Sequence, residues 1–270
     1  MRFLGLKRIG VGLVIGLLPG LTALGESPQD WLGGQIVDLT HAFDEQSIYW
    51  PTEDGFKKHT EFEGFNEKGY FYSAYTMEAA EHGGTHIDAP KHFAQGKWAT
   101  DEIPLERLIG EALVIDVSEK STSDRDYQIL PVDVMEWEAL HGEIRPGAIV
   151  LFRTGYADHW PDRKRYMGTA DLGAEAVSQL HFPGIHPETA NWLANQRNVG
   201  AVGIDTASID YGQSTLFMTH RILFEKNILG FENLANLEGL PARGVKVIAL
   251  PMKIRGGSGG PLRIIAVIPD

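Results

Sequence analysis

Apolar and polar positions along the chain mark a protein rich in strands. Ile36-Val37-Asp38-Leu39 predicts a short strand, and the polar and aromatic stretch from Trp50-Pro51 to Lys68 predicts a long loop. Residues 71–80 mix aromatic and apolar side chains with polar ones and read as a strand. Residues 112–117 and 148–152 are short β-rich runs, each preceded by glycine or proline. Residues 187–196 predict a helix, with Pro187 in the first turn and Glu188 near the positive end of the helix dipole. Strands at 199–204, 245–250 and 262–268 and a helix at 219–226 complete the pattern. No internal repeat and no linker interrupts it. The expectation is one α/β domain from about residue 26 to the end.

Composition narrows the class. The chain has 270 residues, 43% of them hydrophobic, which is enough for a sizeable core. Lys and Arg number 24 against 36 Asp and Glu, for a net charge of −12, and no basic cluster offers a field to a nucleic acid. Without cysteine there is no disulfide framework, thiol nucleophile or lipoprotein anchor, so any metal is held by His, Asp or Glu.

Residues 1–25 have a different character. Arg2, Lys7 and Arg8 form a basic start, residues 9–25 carry no charge, and Ala23 and Gly25 precede a plausible cut before Glu26. That order is the pattern of a secretory signal. The apolar stretch is short for a membrane span and is broken by Gly16, Pro19 and Gly20. The prediction is an exported protein, periplasmic or secreted, with no stable membrane anchor after cleavage. The mature chain is then still more acidic.

The candidate chemistry lies in Glu81-His82-Gly83-Gly84-Thr85-His86-Ile87-Asp88-Ala89-Pro90-Lys91-His92. A helix would set His82 and His86 one turn apart, as in the H-E-x-x-H zinc motif. That motif's glutamate is absent, Gly83-Gly84 would weaken the helix and Pro90 would end it. An extended chain puts His86 and Asp88 on one face, and the two glycines let the backbone bend so that His82 joins them. Neutral imidazoles with a carboxylate suit Zn²⁺, Mn²⁺ or Fe²⁺.

His82-Gly-Gly-Thr-His-Ile-Asp-Ala-Pro-Lys-His92 resembles the H-x-G-T-H-x-D-x-P-x-H signature of the cyclase-like metal-dependent hydrolases, which include bacterial kynurenine formamidases and isatin hydrolases. The resemblance continues through Pro183-Gly184, Pro187-Glu188, the segment 203–210, His220-Arg-Ile-Leu223, Glu232-Asn-Leu234 and the glycine-rich tail. It implies a swivelling β/β/α domain and a homodimer. It further implies that His82 and His86 bind one metal ion, that Asp88 bridges two, and that His220 and Glu232 complete the second site. His92 takes the position of the proton donor and acceptor, and Trp50 that of an aromatic residue touching substrate. Taken alone, His220 in an amphipathic helix and Glu232 starting a strand would be ordinary surface or capping residues. Their spacing, with a turn at Gly230, allows convergence without requiring it.

Weaker signals surround this one. Asp205, Thr206, Ser208 and Asp210 follow an apolar strand and read as hydrogen-bonded loop residues or supports for a site. Gly256-Gly-Ser-Gly-Gly260 lacks the Gly-Lys-Ser and the helix of a phosphate loop and predicts a flexible loop near the pocket. Ser214 and Ser258 lack the strand-turn-helix setting of a serine nucleophile. Tyr49, Trp50, Phe56, Phe62, Phe65, Tyr70, Phe71 and Tyr72 read equally well as cover for a flat substrate or as ordinary core.

The function expected is therefore hydrolysis of a carbon–nitrogen bond in a small aryl formamide or cyclic amide. One or two Zn²⁺ or Mn²⁺ ions per subunit would supply a hydroxide nucleophile, and His92 would move the proton. Two alternatives stand beside it. One is a lactone hydrolase on the same site, and the other is an exported protein that binds a small ligand through a metal without turnover.

Overall fold

In the computed structural model, which describes residue 29 and residues 32–270, alternation along the central strands decides the architecture. On β5 (Ile109–Asp116), Ala112 and Val114 face one core while Leu113 and Ile115 face another. The same division runs through β7 (Ile149–Arg153), where Ile149 and Leu151 oppose Val150 and Phe152, and through β9 (Ala201–Ile204). Strands apolar on both faces must be covered on both faces. Each fully buried Val, Leu, Ile or Phe contributes roughly 1.5–3 kcal/mol relative to an exposed one.

The strands close on themselves. β5, β7, β9 and β10 (Leu229–Glu232) pair in parallel, while β4 (His86–Asp88), β11 (Val245–Pro251) and β12 (Gly259–Pro269) join antiparallel. The order is β1-β12-β11-β5-β7-β9-β10-β4, and a further β12–β4 pairing shuts the ring, with β1 (Gly34–Asp38) lying outside on β12. One core fills the ring. The other lies under α2 (Pro131–His141), α5 (Pro187–Trp192) and α6 (Met218–Phe224), which contribute Val134 and Trp137, Ala190, and Leu223 and Phe224 respectively. Shorter helices α1 (Ser118–Ser123), α3 (Arg163–Met167) and α4 (Ala174–Val177) and the small pair β6 (Gln128–Ile129) and β8 (Gly184–Ile185) decorate this frame. The result is the strand-rich α/β domain expected. Among the described residues, no helix is long and apolar enough to cross a membrane. The basic and apolar segment read as a signal lies outside the described residues.

Several expectations need correction. The loop expected through Lys68 contains β2 (Lys57–Phe65), which pairs antiparallel with β3 (Phe71–Glu78) as a hairpin and, among the described residues, with no other strand. Both faces of β2 are largely exposed, so no buried face imposes the alternation that would betray a strand. Phe62, Phe65, Tyr70, Phe71 and Tyr72 sit on that hairpin, exposed, and belong neither to the core nor to the wall of the cavity described below. Gly230 is not a turn residue but the second position of β10, and Glu232 ends that strand rather than starting one. A Cβ at Gly230 would come into van der Waals contact, at 3.4 Å, with the Cβ of Asp88, its partner across the ladder.

Candidate metal centre

The site forms where the parallel strands end and β4 crosses them. Glu232 ends β10, and the antiparallel register sets it directly opposite His86. His86 and Asp88, two apart on β4, point to the same side, with His86 Nε2 3.2 Å from Asp88 Oδ1. Before them Gly84 takes a left-handed φ of 57°, and a Cβ there would collide with the Phe43 ring. That bend lets His82 double back until its Nδ1 lies 2.7 Å from Asp88 Oδ1. After them Pro90–His92 forms a single 3₁₀ turn, which lifts His92 off the strand and stacks it on His82 with ring centroids 3.8 Å apart. α6 brings His220 from the other side, with Nε2 3.1 Å from Asp88 Oδ2 and 3.2 Å from Glu232 Oε1.

Two ligand groups result, His82, His86 and Asp88 in one and Asp88, His220 and Glu232 in the other. In each, one nitrogen or oxygen atom from every residue lies within 4.8 Å of the others. Asp88 belongs to both.

The donor set fits a divalent cation. His86, Asp88, His220 and Glu232 are 2%, 1%, 3% and 4% exposed, an arrangement too costly to bury without compensating charge. His86 Nε2 is buried with no hydrogen-bond partner among the described residues although two carboxylates lie within 3.4 Å, and a cation between them would satisfy all three. The outward nitrogens are tied down. His86 Nδ1 bonds the Gly84 carbonyl at 2.9 Å, and Asn233 Nδ2 donates to the same oxygen. His220 Nδ1 lies 2.6 Å from Asp210 Oδ2, a carboxylate–histidine pairing that orients a ligand. Asp210 is thus a support, as its place in the sequence suggested. Asp205 supports the fold instead, accepting from Thr154 and from the Gly155 N–H.

Charge and burial set the protonation states. Burial would raise the Asp88 carboxyl, but His82, His220 and His86 hold it well below the usual carboxylate range. Burial beside Asp88 pushes Glu232 up, and bonds to Asp210, Asp88 and Glu232 raise His220 well above its ordinary value despite its burial. His92 goes the other way. Desolvation, with His82, His220 and His86 as like-charged neighbours, lowers it to about 4 against the pull of Asp88.

All seven residues singled out from the sequence line one cavity of about 460 Å³: His82, His86, Asp88, His92, His220, Glu232 and Trp50. Trp50 stands edge-on to Phe217 at 6.2 Å. Phe93 and Phe217, which the sequence did not single out, complete an aromatic wall beside His220. Phe217 adopts a left-handed φ of 48°, rare for a bulky residue and invisible in sequence.

Comparison with known proteins decides the family. The Cyclase family model matches residues 37–211. The chain belongs to the cyclase family. It is 32% identical to the isatin hydrolase of Roseibium aggregatum over 249 residues, covering 87% of this chain and 92% of that one. It is 30% identical to the kynurenine formamidase of Salinibacter ruber, over 85% and 96% of the two chains. A crystal structure of an isatin hydrolase bound to the product analogue thioisatinate superposes with a TM-score of 0.80 at 29% identity, over 90% of this cyclase-family chain and 95% of the other. The matched span of the family model ends before His220 and Glu232, but the fold brings both onto Asp88.

Proposed function

We propose that this cyclase-family protein is a metal-dependent hydrolase that opens the carbonyl carbon–nitrogen bond of a small aryl formamide or a cyclic amide of the isatin type. The observation that carries the reading is the pair of ligand groups sharing Asp88, with His92 beside them in an aromatic-walled cavity. The similarity to an isatin hydrolase and a kynurenine formamidase supports the substrate class.

His82, His86 and Asp88 would hold one divalent cation, and Asp88, His220 and Glu232 a second, as Zn²⁺ or Mn²⁺. Such a cation polarises a carbonyl and makes water acidic enough to attack it near neutral pH. The chain's own groups do the rest. Trp50, Phe93 and Phe217 flank a flat ring and exclude water around it. His92, neutral at pH 7, accepts a proton from the attacking water through its free lone pair. It then returns that proton to the departing nitrogen, since an anilide anion is a very poor leaving group.

Two further readings belong to this proposal. The basic and apolar start of the chain directs export, with maturation before Glu26, which N-terminal sequencing of protein from fractionated cells checks. The working unit is a homodimer, which its mass in solution checks. The function itself is tested by metal analysis of the purified protein together with hydrolysis assays on formanilides, isatins and lactones. Turnover of an amide that stops on chelation supports the proposal. Turnover of lactones alone moves the assignment to ester chemistry, and saturable binding that leaves the ligand intact overturns it.

A further inference from the structure

The glycine-rich segment 256–260 has no part in the reaction above, yet it packs against the first histidine of the cluster. Ser258 lies between His82 and Glu81. Its Oγ donates to Glu81 Oε2 at 2.6 Å, and its backbone N–H donates to the same oxygen at 2.8 Å. His82 Nε2 lies 2.9 Å from that Oγ. A serine hydroxyl has one proton to give, and the carboxylate, an acceptor only, takes it. The Oγ is left to accept from His82, so Nε2 must carry hydrogen. The other nitrogen, Nδ1, then faces Asp88 Oδ1 at 2.7 Å. A bare imidazole nitrogen and a carboxylate oxygen repel at that distance unless a proton or a metal cation lies between them.

The segment is built for this approach. A Cβ on Gly259 would stand 2.5 Å from His82 Cε1 and 2.6 Å from the Ile87 carbonyl oxygen, and one on Gly257 would stand 2.9 Å from Glu81 Oε1. Glycine on each side of Ser258 therefore lets the backbone close over His82. The closed position is pinned. The Ala89 N–H donates to the Ser258 carbonyl at 2.9 Å, and Thr100 Oγ1 reaches the carbonyls of Gly257 and Gly259 at 3.1 Å.

We propose that Glu81 and Ser258 are positioning residues that fix His82 as its Nε2–H tautomer and present Nδ1 to the metal site. The inference rests on the metal-dependent reading and extends it to the support of one ligand, as Asp210 supports His220 and the Gly84 carbonyl supports His86.

Two readouts test it, zinc affinity by competition with a chromophoric chelator and the His82 tautomer by ¹⁵N NMR of histidine-labelled protein. Ser258→Ala should weaken one zinc site roughly tenfold to a hundredfold, the usual cost of losing a group behind a ligand, and leave the other unchanged. The His82 nitrogen signals should move away from the Nε2–H pattern. Glu81→Gln keeps an acceptor for the serine proton and should recover most of what Glu81→Ala loses. That contrast also serves if Ser258→Ala does not fold. Unchanged affinity in a zinc-binding Ser258→Ala overturns this inference and leaves the functional reading standing. Weakened binding with the tautomer unchanged overturns it too, because a loss of mere structure would do that. Wild-type protein that takes up no divalent metal overturns both.

Discussion

Two neighbouring stretches of this chain handle side chains in opposite ways. The hairpin β2–β3 carries aromatic residues and holds them in solvent, with Phe65 76% and Phe71 57% exposed. The segment that follows carries histidines and an aspartate, and buries His86 and Asp88 almost completely while His82 and His92 stay partly exposed. Hydropathy alone would invert the two. The difference lies in which groups find partners. His86, Asp88, His220 and Glu232 face one another around a shared space, and a cation there would offset the cost of desolvating them. The hairpin rings pack within the hairpin, as Phe65 meets Phe71 at 5.8 Å, Phe62 meets Tyr72 at 5.9 Å and the Lys58 ammonium sits over Tyr75. A buried polar cluster therefore marks function here more reliably than a cluster of aromatic residues does.

The sharpest way to break this contrast is to remove the residue both ligand groups share. Asp88→Ala should strip most of the metal and take activity to the limit of detection, measured by elemental analysis and amide turnover. It should also cost stability, by about 3–5 kcal/mol, because two buried imidazoles, His86 and His220, and the half-buried His82 lose the carboxylate between them. Urea denaturation with and without a chelator separates the two effects. Full metal content in Asp88→Ala would refute the bridging role.

A smaller effect should come from the residue beside the cluster. His92→Ala should keep the metal and the fold and lose about a hundredfold to ten-thousandfold in rate, the usual span for one acid–base group. The loss should shrink for an activated aryl ester, whose leaving group needs no proton. Metal lost in step with activity would make His92 a ligand. Equal losses on amide and ester would remove leaving-group protonation from its role.

Much of this was legible in sequence, for identifiable reasons. The parallel strands β5, β7 and β9 announced themselves because each has an apolar run buried on both faces. His82, His86, Asp88 and His92 were legible because one short segment holds them, and parity and Pro90 suffice to arrange it. The pairing of His220 and Glu232 with Asp88 was legible only through family resemblance. It depends on β10 lying between β9 and β4 in a register that sets Glu232 opposite His86. The link between Glu81 and Ser258, 177 positions apart, depends on β12 closing the ring onto β4. α1, with the sequence SEKSTS, has no apolar stripe to read. β2 gave no signal either, since neither of its faces is buried along its length.

That last element supplies the smallest expected effect. Phe65 and Phe71 bury little surface in the single chain, so Phe65→Ser with Phe71→Ser removes one edge-to-face contact and little else. Such a pair is worth about 0.5–1.5 kcal/mol, and a two-stranded hairpin standing clear of the core can lose it without passing the loss to the ring. The double variant should therefore keep its metal content and its turnover, with a stability change of roughly 1 kcal/mol or less by urea denaturation. The strands β4 and β10 do not pair with the hairpin, which reaches the site through the short link of residues 79–81 that precedes His82. A larger loss that deepens as the protein is diluted would mean that a second molecule covers these rings in solution. The contrast between an exposed hairpin and a buried site would then hold for one chain and not for the working assembly.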